Sequence, residues 1–128
     1  MAKLIKYDIT EDEEVNELLI EDQEISIKCK SKFLRTIISA SKLIILGSIV
    51  DNRDNVIYTN KIHELYESVI DDIIDMKNDD NCMKFFDPDE EESLDNIIDR
   101  MGALDYEYAN DIGVATVNLF VDIMIYNM

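Results

Sequence analysis

The side chains able to do chemistry in this sequence are few in kind, and one kind dominates: 29 Asp and Glu stand against 12 Lys and Arg and the single histidine His63. Carboxylates are spread so evenly that no one pair is marked out for general acid–base work. The densest run, "DPDEEESLDNII" from Asp87, offers oxygen at alternate positions as a calcium loop does. Such a loop needs glycine sixth and a bidentate glutamate twelfth, where this chain has Glu92 and Ile98. The same residues suit a helix start, with Asp87 as cap, Pro88 at the first helical position and Glu90 closing a capping box. His63 lies beside Glu64 and Glu67 and has no second histidine to share a metal with. Cys29 and Cys82 are far apart in no CxxC spacing, so the chain encodes neither a disulfide framework nor a zinc knuckle. With 3 glycines, no GxGxxG, GxSxG or phosphate-cradling GKS/T occurs. The chemistry-bearing residues imply no enzyme, no catalytic residue, no metal and no cofactor.

Binding is the remaining class of function, and charge bounds it. A net charge of −17 repels nucleic acid phosphates and anionic lipid before contact forms, so neither nucleic acid nor a membrane is expected as partner. A basic protein surface is the natural complement. The longest uncharged apolar run, "LIILGSIV", falls well short of the ~20 residues of a bilayer span, and the acidic "MAKLIKYDITEDEEV" is no signal peptide. An intracellular protein, cytoplasmic or nuclear, with reduced thiols is expected. The 128 residues correspond to one domain with one core.

The elements that would carry such a surface are read from periodicity. "AKLIKYDI", with Leu4 and Ile9, reads as an opening strand, and Ile25, Ile27 and Cys29 alternate as a half-buried second one. From Phe33 to Val50 the pattern is helical. After the loop "DNRDN", the β-branched and aromatic "VIYT" reads as a third strand. Ile62, Leu65, Tyr66, Val69, Ile70, Ile73 and Ile74 then form one helical stripe. Leu94, Ile97, Ile98 and Met101 supply the buried face of the capped helix, and a last apolar helix runs from about Tyr106 towards Ile125. Leu65, Val69, Ile70, Leu94, Ile98 and Leu104 are the expected core. The fold class expected is α+β.

From Phe86 to about Val121 the spacing of Phe86, Glu90, Leu94, Ile97, Ile98, Leu104, Asp105, Asp111, Ile112, Thr116 and Val117 is gapless against a known pattern. It resembles the C-terminal part of the small adaptor subunit of SCF ubiquitin ligases, the S-phase-kinase-associated protein family, whose BTB/POZ fold is shared with elongin C. Upstream, "VIYTNKIHELYESVIDDII" looks like that family's strand, Asn and helix. The resemblance implies a BTB/POZ-like domain, a small sheet with packed helices and two C-terminal helices. It also implies a non-enzymatic adaptor of a cullin-type ubiquitin ligase, or a diverged viral mimic of one, with a cullin and an F-box-type protein as partners.

Two departures qualify what the resemblance implies. The family places a small-small-Asn-aromatic run before the Leu-Asp pair, and its Asn and ring face the cullin. This chain has Gly102 and Ala103 at that corner, preceded by Arg100 and Met101. The family also continues beyond the position of Met128 with two short helices that clasp the F-box. The closing helix is therefore expected to keep an exposed apolar patch of Val117, Phe120, Val121 and Met124 for a partner or a second copy. A self-associating BTB/POZ module, an acidic inhibitor blocking a basic cleft, and a helical-bundle regulator of cell death are the alternatives.

Overall fold

The computed structural model describes residues 13–49, 56–104 and 106–128, with side chains from residue 23 onward in the first stretch and from residue 58 in the second. Every regular element among them is helical. The order is α1 (Glu13–Ser48), α2 (Val56–Lys77), a one-turn α3 (Asp80–Met83), α4 (Pro88–Gly102), a 3-10 turn (Tyr106–Tyr108) and α5 (Ala109–Tyr126). The expected α+β, BTB/POZ-like architecture with a small sheet is thereby overturned, since no strand occurs among the described residues. "ISIKC" lies inside α1 and "VIYT" forms the first turn of α2. The opening strand over Leu4 and Ile9 falls outside the described residues.

The physical reason for the correction is specific. α1 carries two apolar stripes on opposite faces. Cys29, Phe33, Ala40 and Leu43 point into the core, whereas Ile27, Leu34, Ile38 and Ile45 point out. Where the two stripes interleave, at Ile25, Ile27 and Cys29, they counterfeit the period of two that belongs to a strand. At "VIYT" the bulky residues simply continue a helical register, because Tyr58, Ile62 and Tyr66 stand four apart on one side of α2. Weak strand propensity over so few residues yields to burial of a long amphipathic face.

α1 is the spine, antiparallel to α5 on one side and to α2 on the other. Phe33 of α1 lies 5.4 Å from the Phe120 ring and meets Phe86 edge-on at 5.7 Å, closing an aromatic triad with the Phe86–Phe120 pair at 6.0 Å. At the other end of the seam, Asn110 Nδ2 donates to the Ile44 carbonyl at 3.2 Å and to Ser48 Oγ at 2.7 Å. The α1–α2 seam is stitched by Lys32 to Asp75 at 3.0 Å and Arg35 to Asp72 at 3.7 Å. Asp75, accepting from Lys32, holds that ammonium above its usual range against the opposing pull of desolvation.

α4 starts as the sequence indicates. The Asp87 side chain accepts from the Glu90 N–H at 2.8 Å, and Glu90 Oε1 accepts from the Asp87 N–H at 3.0 Å. Such a cap contributes about 1 kcal/mol by satisfying donors that the first turn leaves open. Asn127 Nδ2 donates to the Phe85 carbonyl at 2.7 Å and to Glu90 Oε1 at 2.9 Å, tying the end of α5 to the start of α4.

The core centres on α1, α2 and α5. Val69 and Leu94 are fully buried as expected, while Leu65, Ile70 and Ile98 are half-buried against the cluster. Leu104 corrects the expectation: it is 45% exposed and adopts a left-handed φ of 56° just past α4, where chain reversal rather than packing determines the backbone. α5 is long and apolar enough to cross a membrane by length and composition, yet Ile112, Gly113, Thr116, Phe120 and Ile123 are buried in this core.

Candidate partner-binding surface

The expected patch on the closing helix is only partly a surface. Phe120 is wholly buried in the aromatic triad, and Val117, Val121 and Met124 are half-buried. The expected role for Phe120 is therefore corrected. It sits on the α1-facing side because α1 is a 36-residue helix, long enough to cover the whole of α5. Gly102 and Ala103 are both exposed at the α4 end, and an added Cβ on Gly102 would meet nothing within 4 Å. Asp105, the other half of the Leu-Asp pair, lies outside the described residues. Asp111 is exposed, and Ile112 and Thr116 are core.

A larger exposed apolar surface lies on α1. Ile27, Leu34, Ile38 and Ile45 are 63%, 48%, 56% and 63% exposed, and Ile49, just past the helix end, is 40% exposed. Their spacing is seven and four in alternation, an eleven-residue repeat. At 3.6 residues per turn these positions fall within about 60° of one another, so the stripe runs straight along the outer face. The core face of α1 points the opposite way. A helix that buries one side in its own domain gains nothing from a second apolar stripe in water.

From Ile25 onward the charge on α1 runs against the rest of the chain, its first third being acidic. Between Ile25 and Ile49 there is no acidic residue, and Lys28, Lys30, Lys32, Arg35 and Lys42 are all basic. The other seven basic residues share the chain with all 29 acidic ones. Lys32 and Arg35 face α2 and are paired there. Lys28, Lys30 and Lys42 are exposed and make no ion pair among the described residues. By helical position Lys42 and Lys28 border the stripe on the α2 side and Lys30 borders it on the other. Beside Ile45 the stripe opens into a groove of about 400 Å³ between α1 and α2, lined by Lys42, Ile45, Leu46, Lys61, Glu64 and Leu65.

Other clusters look inward. The sequence places Cys29 and Cys82 far apart, but the fold brings the two buried thiols near each other where α3 meets α1. Burial pushes the Cys82 thiol far up, and the neighbouring Cys29 thiol and the Asp79 carboxylate, 3.5 Å away, add to it. Asp79 caps α3 through the Asn81 N–H at 3.0 Å. Desolvation raises its carboxyl, but that N–H and the Lys32 ammonium outweigh it and leave the group below its usual range. A raised thiol is not a nucleophile near neutral pH. Cys82 should therefore resist an aromatic disulfide reagent at pH 8 while the protein is folded. In denaturant it should react at least a hundredfold faster, followed as released thiolate; equal rates would show that the thiol is exposed.

His63 Nδ1 and the Tyr106 hydroxyl are 3.2 Å apart and share a hydrogen bond, while Nε2 meets Glu67 at 2.8 Å. Tyr106 stacks on Tyr66 at 5.9 Å, so this trio braces the 3-10 turn against α2. Among the described residues no group of three or more His, Cys, Asp or Glu could hold a metal ion, and no buried side-chain polar atom lacks a hydrogen bond. The buried hydroxyls of Thr36 and Thr116 donate to the carbonyls of Lys32 and Ile112.

The α1 stripe could have been found from the sequence. The signal was the combination of apolar residues at seven-and-four spacing with a run of 26 residues free of acid, from Ile25 to Val50, read as one helix. Comparison with known proteins adds no relative: no family model, no curated protein and no solved structure matches this chain.

Proposed function

We propose that this chain is a non-catalytic interaction module that works by covering the outer face of α1 with another protein. One observation carries this reading: a straight apolar stripe of Ile27, Leu34, Ile38 and Ile45 stands exposed on the side of α1 opposite the core. Residues of this type gain free energy only when a complementary apolar surface removes them from water, about 25 cal/mol per Å² buried.

The adaptor of a cullin-type ubiquitin ligase is a narrower version of the same class of function. Its support was the gapless spacing from Phe86 to Val117, with the aspartates Asp105 and Asp111, and the strand and helix order upstream of it. Without the sheet, and with Leu104 exposed, only the general idea of a partner-binding helical surface is carried forward.

A photo-crosslinking residue placed at Ile38 tests the proposal against the same residue placed at Glu91, an exposed position on α4. In extract of expressing cells, and with a cullin N-terminal domain or an F-box segment added, discrete adducts are expected from position 38 at several times the yield from position 91. Equal yields would show that the stripe is ordinary surface and sink the reading.

A further inference from the structure

Resting on that reading, we infer that the occupant of the α1 face is an acidic amphipathic helix of a partner protein. The stripe has the shape of a helix seat: it is straight, follows an eleven-residue repeat and is about 60° wide. A docking helix with apolar residues at the same seven-and-four spacing would lay its own stripe along Ile27, Leu34, Ile38 and Ile45, and its end would reach the groove between Ile45, Leu46 and Leu65.

The flanks select the charge. Lys28 and Lys42 on one side and Lys30 on the other have no acidic partner among the described residues, so carboxylates on a docking helix would meet open ammonium groups. Elsewhere the surface is strongly acidic, so an acidic helix is repelled from the rest of the molecule and attracted to this one strip. Position is thus specified by attraction on α1 and repulsion around it.

Two other occupants fit less well. A second copy centred on Ile38 would bring Lys42 and Arg35 of each α1 against the same basic stretch of the other, so like charges would face each other along the contact. A flat anionic membrane would have to meet the acidic shoulder of α2 as well, where Glu64 lines the groove and Asp72 and Asp75 border α1. A single helix, about 10 Å across, can seat on the strip and meet that shoulder only at its end, where Lys42 and Lys61 line the groove together with Glu64.

The test uses the intact protein and a labelled synthetic helix of about 22 residues, with Leu at the seven-and-four spacing and Glu at the other surface positions. Its control is the same peptide with Lys for Glu. Fluorescence anisotropy should show the Glu peptide binding at least tenfold more tightly than the Lys peptide, with affinity falling as salt rises. Ile38→Ser with Ile45→Ser should weaken binding at least tenfold while circular dichroism and melting stay unchanged, since both side chains are exposed. Lys30→Glu with Lys42→Glu should reverse the preference between the two peptides, a change that loss of fold could not produce. Equal binding of the two peptides, or binding unaffected by both double variants, overturns the inference. So does light scattering that shows a dimer dissolved by Ile38→Ser with Ile45→Ser. Capture by phosphatidylserine vesicles with no peptide binding overturns it too. Crosslinks at position 38 combined with any of these results would leave the interaction-module reading standing and remove only its occupant.

Discussion

Phe120→Asp should unfold the protein. The ring is fully buried between Phe33 and Phe86, 5.4 Å and 6.0 Å away, at the point where α1, α5 and the segment before α4 converge. Truncating a buried phenylalanine to alanine costs about 3–5 kcal/mol, and a carboxylate there adds the cost of an unpaired charge in an apolar site. A domain of this size has about 5–15 kcal/mol of stability in all. The expected result is loss of the cooperative urea transition and of most helical circular dichroism. Phe120→Leu, which keeps most of the volume, should stay folded with a loss of about 1–2 kcal/mol. A folded Phe120→Asp variant with an unchanged midpoint would mean that Phe120 is surface, as the sequence led one to expect, and that the α1–α5 packing is wrong.

The second large effect concerns glycines in the same seam, where the sign of the change separates two roles. A Cβ on Gly113 would lie 2.8 Å from the Ala40 carbonyl oxygen and 3.1 Å from the Ile44 nitrogen. On Gly47 it would lie 2.4 Å from the Asn110 nitrogen. These neighbours are backbone and cannot rotate away, so Gly47→Ala and Gly113→Val should force α1 and α5 apart and cost about 2–4 kcal/mol each. Helix propensity alone would favour alanine at Gly47 by about 1 kcal/mol. A net loss therefore reports the close approach. Gly102, with open space around it, should do the opposite, and Gly102→Ala should stabilise by a few tenths to about 1 kcal/mol. Denaturant midpoints of the three variants are the measurement. Neutral or stabilising shifts for both Gly47→Ala and Gly113→Val would remove the close contact of α1 with α5.

Much of the helical content was legible in the chain. The α2 stripe from Ile62 to Ile74, the Asp87–Glu90 capping box and the apolar α5 are all present with boundaries within a few residues of those read. What failed was the first half. Ile25, Ile27 and Cys29 are consistent with a strand of period two and equally with two opposed stripes of one helix, and no local rule separates them over so short a window. The candidate site failed for the same reason. With α1 divided between strand and helix, its outer stripe could not be seen, and the apolar surplus of the chain was assigned to α5, including Phe120.

The sequence by itself determined the charge balance, the absence of familiar catalytic and phosphate-binding motifs, the start of α4 and the apolar character of α5. These depend on residues close in the chain, whose hydrogen bonds and helical spacing are local. Only the tertiary structure decided which side of each apolar helix is core. An apolar side chain is equally able to pack inside its own domain or against another protein, and the choice depends on what lies across from it. Phe33 and Phe86 lie across from Phe120 and bury it, while no described residue covers Ile38 and Ile45, which leaves an apolar strip with a basic border exposed on an acidic protein.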